Sequence, residues 1–115
     1  MPSDLQPARK IVLAWLRADH REPTCLAGEA DAVLDQRHAE ITQRFLKWAK
    51  IAGFDYEVIE GRADGRTAYA VHWTHRGASF VGFKQPPSEA TVEDALLAGS
   101  AALLENQWCR KWLDQ

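Results

Sequence analysis

Residues 88–112 read SEATVEDALLAGSAALLENQWCRKW, and this stretch decides the predicted fold. Its spacing predicts one long helix with two apolar stripes, the first through Val92, Leu96, Gly99 and Leu103 and the second through Leu97, Ala101, Leu104, Trp108 and Trp112. A helix on a protein surface usually has a single apolar face. We therefore expect a sheet to pack on one stripe, and another helix or a partner chain on the other.

The residues before this helix change to a period of two, which is typical of strands. Three runs, 54–59, 68–73 and 79–84, show this period. The alternate positions hold Phe54, Tyr56 and Val58 in the first run, Tyr69, Val71 and Trp73 in the second, and Ser79, Val81 and Phe83 in the third. Turn residues separate the three runs, with Asp64-Gly65 in the first turn and Arg76-Gly77 in the second. Because short turns place consecutive strands side by side, the pattern predicts a three-stranded antiparallel meander.

Helical spacing returns toward the N-terminus. The pattern predicts a first helix over residues 3–19, a short helical piece over 26–32 and a second long helix over 34–52, which Gly53 ends. The predicted fold class is α+β, with N-terminal helices, a three-stranded antiparallel meander and a long C-terminal helix packed on the sheet in a two-layer sandwich. We expect residues 1–115 to form a single domain.

Composition narrows the classes of function. The chain is 46% hydrophobic and 26% charged, which is ordinary for a folded domain, and its net charge of -2 argues against an electrostatic nucleic-acid binder. Cys25 and Cys109 are far apart, and two buried thiols are a better prediction than one disulfide. The sequence shows neither a membrane-spanning apolar run nor a signal-peptide layout, so a cytoplasmic location without membrane contact is expected.

The sequence contains no convincing catalytic or metal-binding constellation. His72 and His75 are three apart, so in a straight strand they point to opposite faces and cannot share a metal ion. We expect His72 half-buried on the sheet and His75 in the following turn. His38 lies in the apolar stripe of the second long helix. We expect it to be a core histidine that is hydrogen-bonded to a backbone carbonyl or a carboxylate. Catalysis, cofactor and metal are therefore not predicted, and an enzyme would have to use His38 or His72 as its acid–base group.

The order of helix, three strands and helix over residues 34–106 resembles the double-stranded-RNA-binding domain. The similar pieces are residues 56–59, 69–73, 80–82 and the alanine- and leucine-rich run 95–104. That family places lysines at the start of its last helix to hold phosphates. Residues 88–94 are acidic here, which argues against an anion site at that position.

A second resemblance covers the hairpin and the last helix. Residues 64–69, followed by the acidic, alanine-rich start of the helix at 89–104, are similar to HicB-type antitoxins and to small helix-and-meander proteins of phages and prophages. Both resemblances imply a small α+β fold, and the first also implies a nucleic-acid-binding module as an alternative function.

The preferred hypothesis is a non-enzymatic protein-interaction module that docks on another protein. An inhibitor of a host or defence protein, encoded by a phage or mobile element, would fit. Five tryptophans, near-neutral charge and the two-sided last helix support the hypothesis. Aromatic residues and arginine are the usual anchors of such interfaces. The predicted contact residues are Trp108, Trp112, Arg110 and Lys111 at the C-terminus, and Arg62 and Arg66 in the first hairpin loop.

Two alternatives stay open at this point. A homodimer would form if the stripe through Leu97, Leu104 and Trp108 packed against its own copy about a two-fold axis. A nucleic-acid-binding module would use the basic side of the second long helix, and its binding would weaken steeply with salt. The residues predicted for that interface are Arg37, Arg44, Lys47 and Lys50.

Overall fold

A computed structural model describes residues 5–18, 21–34, 36–79 and 86–114. In chain order the elements are α1 (Gln6–Arg17), α2 (Asp31–Leu34), α3 (His38–Ile51), β1 (Phe54–Ala63), β2 (Arg66–His75), β3 (Ala78–Ser79), α4 (Val92–Glu105) and α5 (Gln107–Leu113). The class is α+β, as predicted. Helix α1 lies within the predicted range 3–19, of which residues 3, 4 and 19 are outside the described residues. The short helix α2 begins later than the predicted piece over 26–32.

Strands β1 and β2 form a long antiparallel hairpin, paired from Phe54 opposite His75 to Ala63 opposite Arg66. The two residues between the strands, Asp64 and Gly65, have φ of 53° and 77°. A two-residue hairpin turn with positive φ at both positions favours Asp-Gly, because its twist matches that of the strands. The turn chemistry in the sequence therefore located this hairpin correctly.

The predicted three-stranded meander is wrong. Among the described residues the sheet has two ten-residue strands, and β3 adds a pairing of two residues with Thr74 and His75. Further along β2, Tyr69 exchanges backbone hydrogen bonds with Glu89, just before α4, so this position on the outer edge is paired by another segment. Of the predicted third strand over 79–84, residues 80–84 lie outside the described part of the chain.

The predicted single helix over 88–112 is also wrong. Helix α4 starts after Thr91, whose hydroxyl accepts a hydrogen bond from the Asp94 N–H, and it stops at Asn106. Asn106 has φ of −83° and ψ of 119°, an extended conformation. Its Oδ1 accepts a hydrogen bond from the Cys109 N–H at 3.0 Å, so it is the N-cap of a second helix, α5.

Helix α4 packs on two sides, as its two apolar stripes predicted. It contacts β2 as well as α1 and α3. Gly99 of the first stripe faces Val71 of β2, and the Trp73 indole donates to the Gly99 carbonyl at 3.0 Å. Because α1 and α3 cover α4, this helix is an interior element and not the outer layer of a two-layer sandwich. None of the helices in the described part of the chain has the length and apolarity needed to cross a bilayer.

Candidate protein-docking site

Helix α5 is fixed to the N-terminal helix by its last residues. The Trp15 indole of α1 donates to Asp114 Oδ1 at 2.9 Å, and Arg21 Nη2 donates to the Leu113 carbonyl at 3.0 Å. Asp114 also accepts from Arg110 Nε at 2.9 Å. Leu113 is buried in the core. These contacts hold α5 in one orientation against the rest of the molecule.

An aromatic cluster forms where α5 meets the end of the hairpin. His75, the last residue of β2, is 6% exposed, and its Nε2 donates to the Ala52 carbonyl at 3.0 Å. Its ring centroid lies 4.5 Å from that of Phe54, 5.5 Å from that of Trp108 and 4.7 Å from that of Trp112. His75 was predicted to lie in a turn; that prediction is wrong, because the residue continues the buried face of β2.

The same cluster carries the exposed apolar surface of α5. Trp108 is 49% exposed although it contacts both His75 and Trp112, so its ring is held in place while one part of it faces solvent. Arg76 lies with its guanidinium carbon 4.8 Å from the Trp112 ring centroid. We call the five residues Phe54, His75, Arg76, Trp108 and Trp112 the aromatic corner.

The surroundings of the aromatic corner are apolar and basic. Ile51 is 70% exposed and immediately precedes Ala52, the residue bonded to His75. Arg110 and Lys111 are exposed on α5, and Arg110 is paired with Asp114. Arg76 makes no ion pair with any residue that the structure describes. The corner can therefore offer an indole and unpaired positive charge to one partner.

The structure separates the six residues that the sequence grouped as one interface. Arg62 and Arg66 flank the hairpin turn, and Arg62 Nη2 donates to the Gly65 carbonyl at 2.7 Å. The aromatic corner lies at the other end of the hairpin, where Phe54 pairs with His75. Ten residues of strand put about 30 Å between the two ends, at roughly 3.3 Å per residue. One compact interface thus includes the C-terminal residues and leaves out both hairpin arginines.

The proposed dimer stripe is mostly core. Leu97 is 0% exposed and Leu104 is 3% exposed, and both belong to the hydrophobic core. These leucines cannot contact a second copy while the chain is folded. Trp108 is the one member of that stripe that a second copy could reach.

The basic residues of α3 fall into two pairs with different surroundings. Arg37 is bonded to Glu40 at 2.7 Å, and this contact lowers the pKa of the Glu40 carboxyl. Arg44 is bonded to Glu22 at 2.6 Å, and the same carboxylate accepts from the Trp48 indole.

Lys47 and Lys50, by contrast, make no ion pair within the described residues. They line a cleft of about 320 Å³ between α3 and β1. Two of the four cations predicted to contact nucleic acid are therefore already neutralised by carboxylates of this chain.

The histidine and cysteine side chains have distinct surroundings in the part of the chain that the structure describes. No three histidine, cysteine or carboxylate side chains there come together as metal ligands. The expected hydrogen bond of His38 is not seen: its Nε2 is buried, with no partner among the described residues. Cys25 and Cys109 are buried free thiols, and burial raises the pKa of Cys109 to about 11, so this thiol is not an activated nucleophile near neutral pH.

Sequence reasoning missed three residues of the aromatic corner, Phe54, His75 and Arg76. One signal was available: His75 continues the alternation of Val71 and Trp73, so a longer strand would have placed it on the buried face. The contact between Arg76 and Trp112 had no such signal. No family model matches the chain, and comparisons with curated proteins and with solved structures find no match either.

Proposed function

We propose that this protein is a non-enzymatic interaction module that docks on another protein through the aromatic corner. The observation that carries the proposal is Trp108, a tryptophan that is half exposed yet packed against two other rings. Large aromatic side chains on a surface are common hot spots of protein interfaces. A ring already held in place loses little conformational entropy when a partner covers it.

The charges around Trp108 define the partner's chemistry. Arg76 and Lys111 are exposed cations without an ion pair in the described part of the chain. Arg76 lies against the Trp112 ring, and Lys111 directly precedes Trp112 on α5. A matching partner surface would have an apolar pocket for the indole and carboxylates around it, because complementary charges favour association and set its orientation. An inhibitor of a host or defence enzyme would act through the same corner by covering a surface of that enzyme.

The test is capture of a partner by tagged wild-type chain and by two variants, each in samples with and without nuclease. Trp108→Ala removes the exposed indole, and Tyr56→Ala is the matched control, since Tyr56 is a 44% exposed aromatic residue in the α3–β1 cleft. We expect one protein bound in stoichiometric amounts by the wild type and by Tyr56→Ala, and at least about tenfold weaker binding by Trp108→Ala.

Thermal unfolding of each variant distinguishes lost binding from lost folding. Trp108→Ala should unfold cooperatively close to the wild-type temperature, because half of the side chain is already in water. The proposal is wrong if Trp108→Ala binds the protein as well as the wild type does, if it unfolds the chain, or if only nucleic acid is retained.

A further inference from the structure

A second surface lies on α3 and β1, separate from the exposed indole of the aromatic corner. It is a cleft of about 320 Å³ between the last two turns of α3 and the first residues of β1. This volume is at the lower end of the range for small-molecule sites, roughly 300–1,000 Å³. The cleft is lined by Gln43, Leu46, Lys47, Ala49, Lys50, Phe54, Asp55, Tyr56 and Trp73.

The floor of the cleft is apolar and well ordered by packing. Leu46, Ala49, Phe54 and Trp73 are all buried core residues. Tyr56 stands beside them, 44% exposed, with its ring edge-on to Trp73 at a centroid distance of 5.9 Å. An exposed ring next to buried apolar side chains suits a flat apolar group, which would gain burial on several sides.

The rim of the cleft is positively charged. Lys47 and Lys50 are exposed, three residues apart on one side of α3, and Asp55 is the one carboxylate that lines the cleft. Neither lysine has an ion pair with a described residue. Lys47 Nζ lies 5.8 Å from the Trp48 ring centroid, a weak contact at an exposed site that leaves the lysine able to reach a ligand.

The geometry points to a binding site for a small planar apolar molecule that carries one anionic group, such as an aromatic carboxylate. The apolar body would lie against Tyr56 and the floor, and the anion would lie between Lys47 and Lys50. The lining residues carry a net charge of +1, from two lysines and one aspartate. This charge fits a monoanion better than a polyanion, since phosphate-backbone binding usually needs many cations. This inference does not depend on the docking proposal, because Phe54 is the one residue that the cleft shares with the aromatic corner.

The experiment is a two-dimensional amide NMR titration of the whole chain with 2-naphthoate, repeated with the neutral alcohol 2-naphthalenemethanol. We expect saturable shifts around Lys50 and Tyr56 with the carboxylate, and weaker binding of the alcohol. Lys50→Gln should weaken 2-naphthoate binding by about two- to fivefold, the range of an exposed ion pair. Tyr56→Ala should weaken both probes, because it removes apolar contact.

Lys10→Gln is the matched control, an exposed lysine on α1 outside the cleft, and it should leave 2-naphthoate binding unchanged. The inference is overturned if the shifts do not saturate, if they centre on Trp108 and Trp112, or if the alcohol binds as tightly as the carboxylate. Equal binding by Lys50→Gln and the wild type would also overturn it. So would a short RNA duplex that displaces 2-naphthoate at lower concentration, since the site would then be for a polyanion.

Discussion

Replacing Gly99 by alanine should destabilise this protein, although alanine is the better helix former. Gly99 lies in the middle of α4, where the helix crosses β2. A methyl group added there would lie 2.9 Å from Val71 Cβ and 3.4 Å from each of its γ carbons. Neither the added methyl carbon nor Val71 Cβ can rotate away, because each is bonded directly to a backbone Cα. The helix and the sheet would therefore have to separate.

The size of the effect follows from one stabilising and two destabilising contributions. Alanine gains about 1 kcal/mol over glycine inside a helix. Overpacking of a well-packed core usually costs about 1–3 kcal/mol. Separation of helix and sheet also lengthens the 3.0 Å hydrogen bond from the Trp73 indole to the Gly99 carbonyl, which is worth about 1 kcal/mol. The net expectation is a loss of about 1–3 kcal/mol in the free energy of unfolding.

Urea unfolding followed by tryptophan fluorescence would measure this loss. Ala98→Gly, one residue earlier in α4, provides the comparison, because it should lose about 1 kcal/mol of helix propensity without a clash at Val71. Gly99→Val should be worse than Gly99→Ala, since a larger side chain needs more separation. A Gly99→Ala chain as stable as the wild type, or more stable, would refute the close contact between α4 and β2.

Two further predictions concern α5 and its N-cap. Burial raises the pKa of the Cys109 thiol from 9.0 to about 11, so only the unfolded chain ionises there as the pH rises through 9.0. The stability contributed by this thiol is present below pH 9.0 and is lost toward pH 11. In urea titrations between these two pH values, the free energy of unfolding of the wild type should fall by about 2–3 kcal/mol more than that of Cys109→Ala. Parallel pH profiles would contradict this. Asn106→Ala should lose about 1 kcal/mol in the free energy of unfolding, because it removes the N-cap of α5, whereas Asn106→Asp should keep most of that stability. Equal stability of the wild type and both variants would show that the cap contributes little.

Much of the architecture could be predicted because it depends on short-range patterns. The 3.6-residue period located α1 and α3, and Asp64-Gly65 located the hairpin turn. The two stripes of α4 correctly indicated packing on both sides. These features are set by side-chain spacing and backbone preference, which are visible in a single sequence.

The errors arose where the periodic pattern continued past a change in the backbone. The step from Leu104 to Trp108 and Trp112 is helical in spacing, so it concealed the break at Asn106. Asparagine is a preferred N-cap, and it was the one local sign of a new helix start. Alternation over residues 79–84 predicted a third strand, and Ser79, the one described residue of that range, does lie in β3. Alternation alone does not indicate how many residues of a strand pair with a neighbour.

The break at Asn106 is what connects the fold to the proposed docking site. A continuous helix would keep the direction of α4, whereas the extended backbone of Asn106 lets α5 take its own direction. Along that direction Cys109 and Leu113 are buried, while Trp108 and Trp112 contact His75 at the end of β2. Contacts on both sides of α5 thus fix the orientation of a half-exposed indole. A fixed apolar group is a better anchor than the same group on a mobile terminus, because a partner then has little side-chain entropy to overcome.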